Sequence, residues 1–266
     1  MSSADLSRKE KREEARAARR AAEEAERARA DRRRRMFILS GVVALVVVVV
    51  AVVVAIAGSS SNTPPKPHSA AANAKAVAVT RELAGIQQSG ATLGSPTAPV
   101  TVTEYGDLEC PICQAFDVNS LPQLLTNDIR SGRVKMVYRS LQTATQDPTV
   151  FNTQQVAALA AGEQNLMWNY VDLFYHEQGQ EGTGYVNEAY LAGLASQIPG
   201  LVSAQWLAAR HSPALSQQVS SDQGQAAKLN FSSTPSFTVQ GPKGGRGVSG
   251  SLPSYGQLES VIKSVS

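Results

Sequence analysis

Hydrophobic and polar positions divide the 266-residue chain into four stretches. Residues 1–35 repeat Ala, Glu and Arg with no apolar stripe on which a partner helix could pack, the pattern of a solvated helix or tail. Residues 36–57 are the opposite: across 22 positions Ser40 is the only side chain more polar than glycine. A helix there would be ~33 Å long at ~1.5 Å per residue, enough to cross the hydrocarbon core of a bilayer. Residues 58–76 are rich in Ser, Pro, Ala and Asn, with Pro64-Pro65-Lys66-Pro67 locally extended. They read as a flexible linker with a reach of ~25 Å. Residues 77–266 carry the periodic patterns of one domain with a full core.

Within that domain, Gly85 and Gly90 mark a short hairpin across residues 77–94, and the β-branched alternation of residues 100–105 predicts a buried strand. Apolar positions at helical spacing follow over residues 110–130, then Ser131-Gly132 breaks the chain and residues 134–139 predict a second strand. Strand, helix and strand in that order imply a right-handed parallel crossover. A long helical region, about residues 143–229, comes next, with Trp168, Tyr170, Phe174, Tyr175 and Trp206 read as core. A strand with Pro235 at its start, a glycine-rich turn over residues 241–247, a short strand from Val248 and a closing helix over residues 254–265 complete the chain.

Charge changes the picture in one respect. The net charge of +3 is uneven: residues 1–35 carry 13 Lys/Arg and 8 Asp/Glu, a net +5, which leaves 12 and 14, a net −2, for the rest. The basic character belongs to the tail, where acidic residues are interleaved, so no nucleic-acid partner is expected. Arg32 to Arg35 stand directly before the apolar run, and only Gly, Ser, Asn and Thr follow it. The positive-inside rule then puts residues 1–35 in the cytoplasm and residues 58–266 outside, with residues 36–57 in the bilayer. Ala55-Ile56-Ala57 has the form of a signal-peptidase site, but the apolar run and its leader are longer than a signal peptide needs, which favours an uncleaved anchor.

The candidate chemistry is short and local. Both cysteines of the chain lie in Glu104-Tyr-Gly-Asp-Leu-Glu-Cys110-Pro111-Ile112-Cys113. A strand that delivers the chain through Gly106 to a helix opening at the cysteines seats Cys110 at the helix N-terminus, where free N–H groups and the dipole favour a thiolate. Pro111 suits the first turn. Cys113 lies one turn on, within reach of a disulfide. An inert staple is a poor account, because so short a loop constrains the unfolded chain little. Zinc needs four ligands, and His68, His176 and His211 have no finger or ribbon spacing. His176 and His211 read as helix-end or solvated residues. Haem attachment would place a histidine where Gln114 stands. The expected chemistry is a reversible dithiol/disulfide switch with an exposed attacking sulfur at Cys110, without a cofactor or a bound metal.

Taken with these, Thr92-Leu93-Gly94-Ser95-Pro96, Ala157-Ala158-Leu159-Ala160-Ala161 and Thr234-Pro235-Ser236-Phe237 resemble the DsbA-like branch of the thioredoxin superfamily over about residues 80–265. The resemblance implies an α/β thioredoxin fold with an inserted helical domain. It implies that Cys110 attacks and carries the substrate, that Cys113 resolves, and that Pro111, Ile112, Thr234 and a cis Pro235 meet an extended peptide. It also implies that Glu104 is a buried acid able to exchange a proton with Cys113. Strong oxidants of the family often have His at the position of Ile112; isoleucine, together with the charge of Glu109, predicts a raised Cys110 thiol pKa. The expected enzyme is a membrane-anchored, extracytoplasmic thiol–disulfide oxidoreductase. As an oxidase in disulfide bond formation it would act on reduced or misoxidised proteins and be recycled by a membrane redox partner. A reductase or isomerase, and a tethered peptide-binding module with no essential redox role, are the alternatives.

Overall fold

The computed structural model describes residues 63–249 and 254–266. The charged tail, the apolar run at residues 36–57 and the start of the linker lie outside the described residues, among which no helix is long and apolar enough to cross a membrane.

The centre is a six-stranded sheet in the order β1-β2-β4-β3-β5-β6. These strands are β1 Gln88–Ser89, β2 Thr92–Leu93, β3 Val100–Gly106, β4 Val134–Ser140, β5 Ser236–Gly241 and β6 Gly244–Val248. Only β3 and β4 run parallel, in the register Val100 to Val134 through Gly106 to Ser140. Pairing β3 also with antiparallel β5 makes it a central strand. Val100 and Val102 are fully buried, and the last four residues of β3 except Thr103 are buried as well. A strand covered on both faces is what carries a side chain such as Glu104 into the interior.

Between β3 and β4 the chain forms α2 Pro111–Asn119, α3 Leu121–Leu124 and a π-helical turn at Leu125–Ile129. The single helix expected over residues 110–130 is therefore broken at Ser120, where Pro122 has no N–H to continue the ladder. Between β4 and β5 lie α4 Pro148–Gly162, α5 Met167–His176, α6 Glu188–Gln197, α7 Ser203–Ala209 and α8 Pro213–Lys228. Helix α4 is buried on all sides over its last nine residues, a consequence of its Ala-rich, apolar sequence. Trp168 and Trp206 are core residues, and each indole finds an acceptor, Ala91 O at 3.0 Å and Ala157 O at 2.8 Å. Helix α9, Tyr255–Val265, closes the chain behind a Ser254–Gln257 capping box.

Three expectations need correction. The stretch taken as linker ends early, because residues 70–76 are the first half of helix α1, Ala70–Leu83, capped by Ser69. Six alanines in that helix are strong helix formers as well as linker-like composition. The hairpin of residues 77–94 is confined to β1 and β2. Most of the glycine-rich turn is strand: Gly244 to Gly247 pair with β5, and only Pro242 and Lys243 span the corner.

Candidate functional site

Helix α2 starts where β3 ends, and Cys110 is its N-cap residue, with φ −72° and ψ 119°. Pro111 fills the first helical position, where no N–H is needed. Asp107 O accepts from Cys110 N at 3.0 Å and ties the entry. Cys110 and Cys113 are both free thiols. Cys113 is fully buried, and Cys110 is itself only 5% exposed, so the attacking sulfur is less open than its position in the sequence implied. The exposed side chain at the mouth is Ile112, 45% accessible.

Four donors and one acceptor define the state of Cys110. Its Sγ lies 3.5 Å from Thr234 O, across the cis Thr234–Pro235 peptide that leads into β5. The Cys110 thiol is lowered to about 6, first by the hydrogen bond from Cys113, against the opposing effect of burial, then by hydrogen bonds from Thr234 and from the backbone N–H groups of Cys113 and Ile112. The rise expected from Glu109 and Ile112 is overturned. Glu109 is buried, its own carboxyl is pushed up by burial, and local hydrogen bonds outweigh any missing imidazolium. Burial, and then the Cys110 contact, push Cys113 well above an ordinary thiol.

Glu104 sits on β3 between Tyr138 and Phe237, 1% exposed, and its Oε1 has no hydrogen-bond partner. Burial first and the Cys110 charge second raise it to about 8. It is one of the charges that act on Cys113. The structure thus gathers Cys110, Cys113, Glu104, Thr234 and Pro235, with Pro111 and Ile112 on the outer rim.

Sequence reasoning assigned no role to Asp107, Thr143, Thr145 or Gln178. Asp107 is fully buried and accepts from the backbone N–H groups of Thr143, Ala144 and Thr145, each at 2.9 Å, from Glu109 N at 3.2 Å and from Thr145 Oγ1 at 2.6 Å. It holds the loop after β4 against the dithiol, and from that loop the Thr143 hydroxyl touches the Thr234 hydroxyl. Gln178, just past α5, donates to Leu108 O at 2.7 Å and Cys110 O at 3.2 Å, so the helical insert also grips the site.

A thiol held largely as thiolate beside a second thiol that keeps its proton is a couple built to alternate between dithiol and disulfide, and it makes this chain a DsbA-like thiol–disulfide oxidoreductase. The chain belongs to the thioredoxin family, whose model matches residues 87–263. Among its relatives, the probable disulfide bond formation protein D of Bacillus anthracis is 28% identical over 151 residues, 56% of this chain and 69% of that protein. Oxidised BdbD from Bacillus subtilis has the same fold with a TM-score of 0.57 at 21% identity, covering 67% of this chain and 95% of that one. Wolbachia pipientis alpha-DsbA1 follows with a TM-score of 0.54 at 18% identity, over 66% and 89%.

Proposed function

We propose that the enzyme is an extracytoplasmic oxidase that passes a Cys110–Cys113 disulfide to reduced proteins, tethered by a bilayer-spanning segment at residues 36–57 with residues 1–35 in the cytoplasm. Residues 58–69 then form the spacer between anchor and domain. A substrate thiolate attacks Cys110 Sγ, the Cys110–Cys113 bond breaks, and the departing Cys113 thiolate takes a proton from Glu104. The second substrate thiolate attacks the substrate sulfur of the mixed disulfide and expels Cys110 as a thiolate. Two electrons pass from substrate to enzyme, and a membrane redox partner must remove them. Ile112 and the Thr234–Pro235 backbone receive the client as an extended segment.

The observation that carries this reading is the Cys110 thiol at about 6, since a stabilised thiolate favours the reduced form and makes the disulfide the stronger oxidant. The same number predicts that iodoacetamide alkylates the reduced full-length chain with a rate midpoint at about pH 6. Equilibration of that chain with glutathione buffers tests the direction of flow. A potential of about −120 to −180 mV supports a disulfide donor, one near about −270 mV makes the chain a reductase, and the absence of a reversible couple leaves the peptide-binding module.

A further inference from the structure

Helix α5 packs against both α1 and α2. Four titratable side chains converge there: Glu82 from α1, Asp117 from α2, and Asp172 and His176 one turn apart on α5. One ligand atom from each of Glu82, Asp172 and His176 lies within 4.8 Å of the other two. His176 Nε2 and Asp172 Oδ1 are 3.3 Å apart. Atoms bound tetrahedrally to one zinc at about 2.1 Å stand about 3.4 Å from one another, so this pair is already at ligand spacing.

Asp117 supplies an independent sign that something more belongs here. It is 2% exposed, neither of its carboxyl oxygens has a hydrogen-bond donor, and it faces the Asp172 carboxyl. Asp172 Oδ2 and Glu82 Oε1 lack a donor as well. Among the described residues no Lys or Arg forms an ion pair with any of the three acids, and the one cationic partner is His176, which pairs with Asp172 alone. Arg130, beside Glu82, spends its guanidinium on the backbone oxygens of Glu82 and Ala84. Buried carboxyls that face each other need a positive partner, and His176 reaches only one of these three.

We propose that Glu82, Asp172 and His176 form a binding site for one zinc ion that braces α1 and α5, with the buried Asp117 of α2 set against Asp172 beside it. The imidazole favours zinc over the hard, oxygen-preferring cations, and the carboxylates supply the remaining ligands. The His176 side chain, 24% exposed, provides the way in. The site is independent of the direction in which the dithiol works.

The test uses the full-length chain in detergent, stripped with a chelator and oxidised so that Cys110 and Cys113 offer no thiolate. Equilibrium dialysis against Zn²⁺ with elemental analysis is expected to give one zinc per chain and a higher thermal midpoint. Glu82→Gln, at the half-buried rim, and Asp172→Asn are each expected to weaken binding at least tenfold, by analogy with the roughly 10–100-fold cost of losing even an outer-shell partner. Circular dichroism checks that both variants fold. A wild-type chain that retains no zinc overturns the proposal, whatever the variants do. So does zinc retained equally by Glu82→Gln and Asp172→Asn, or a site that takes Mn²⁺ in preference to Zn²⁺.

Discussion

Glu104 and Asp107 stand three residues apart at the end of one strand, both out of reach of water, and they are treated in opposite ways. Asp107 accepts five hydrogen bonds and fastens the loop after β4 to the start of α2. Glu104 has one oxygen with no partner and is lifted to about 8 by burial and by Cys110. A buried carboxylate ringed by donors is an architectural part, its oxygens fully occupied by its neighbours. A buried carboxyl left without donors is costly to ionise, and therefore holds a proton at neutral pH that it can surrender to a stronger base. The lesson is that burial alone does not separate structural from chemical acids; the supply of donors does.

The comparison breaks most visibly at Asp107. Replacing it with Ala leaves three backbone N–H groups of the loop without acceptors, and we expect a loss of about 5 kcal/mol in urea unfolding. A loss below about 1 kcal/mol would mean that the loop holds itself.

Glu104→Gln should act in the other direction. The native acid near 8 keeps its proton after the unfolded chain, near 4.5, has lost its own, so wild-type stability falls as pH rises from about 4.5 to 8. Glutamine removes that penalty. The variant should therefore gain roughly 3 kcal/mol relative to wild type between pH 5 and pH 8, measured by denaturant melts at both values. Stopped-flow formation of the mixed disulfide, from a substrate thiol and the oxidised enzyme at pH 7, should slow in the same variant, because the departing Cys113 thiolate loses its proton donor. Equal pH profiles for the two proteins would place Glu104 with Asp107 as a structural group.

The smallest handle lies at the mouth. Ile112→His puts an imidazole beside Cys110, and its cationic form should move the alkylation midpoint downward from about 6 by less than about one pH unit, since this position is open to solvent. An unchanged midpoint would show that hydrogen bonds from Cys113 and Thr234 already saturate the thiolate.

The parts of this site legible in the sequence are the local ones. Alternation in Val100-Thr101-Val102-Thr103 exposes β3, the Cys-x-x-Cys spacing exposes the dithiol, and together they place Glu104 inside. Asp107 was visible as a residue but not as a role, because its partners in the loop are 36 to 38 positions away. A larger separation, 68 and 70 positions, hid Gln178, a polar residue with no periodic signature. Composition misled at both ends of the domain. The alanines of α1 look like a spacer until a cap at Ser69 and a packing face at Val79 and Leu83 are known, and glycine in β6 carries no strand propensity until β5 supplies the pairing. Glu109 misled for another reason: a charge next to Cys110 in sequence proved weaker than hydrogen bonds made by the fold.

The contact between Cys110 Sγ and Thr234 O joins residues 124 positions apart. On the ribosome, at about 5–20 residues per second, roughly 6–25 s separate the synthesis of the cysteine from that of its partner. Throughout that interval the nascent chain carries a dithiol without the strand that completes it. The local hydrogen bonds from Cys113 and Ile112 can form early, whereas the share that Thr234 adds to the setting of Cys110 arrives only when nearly the whole enzyme exists.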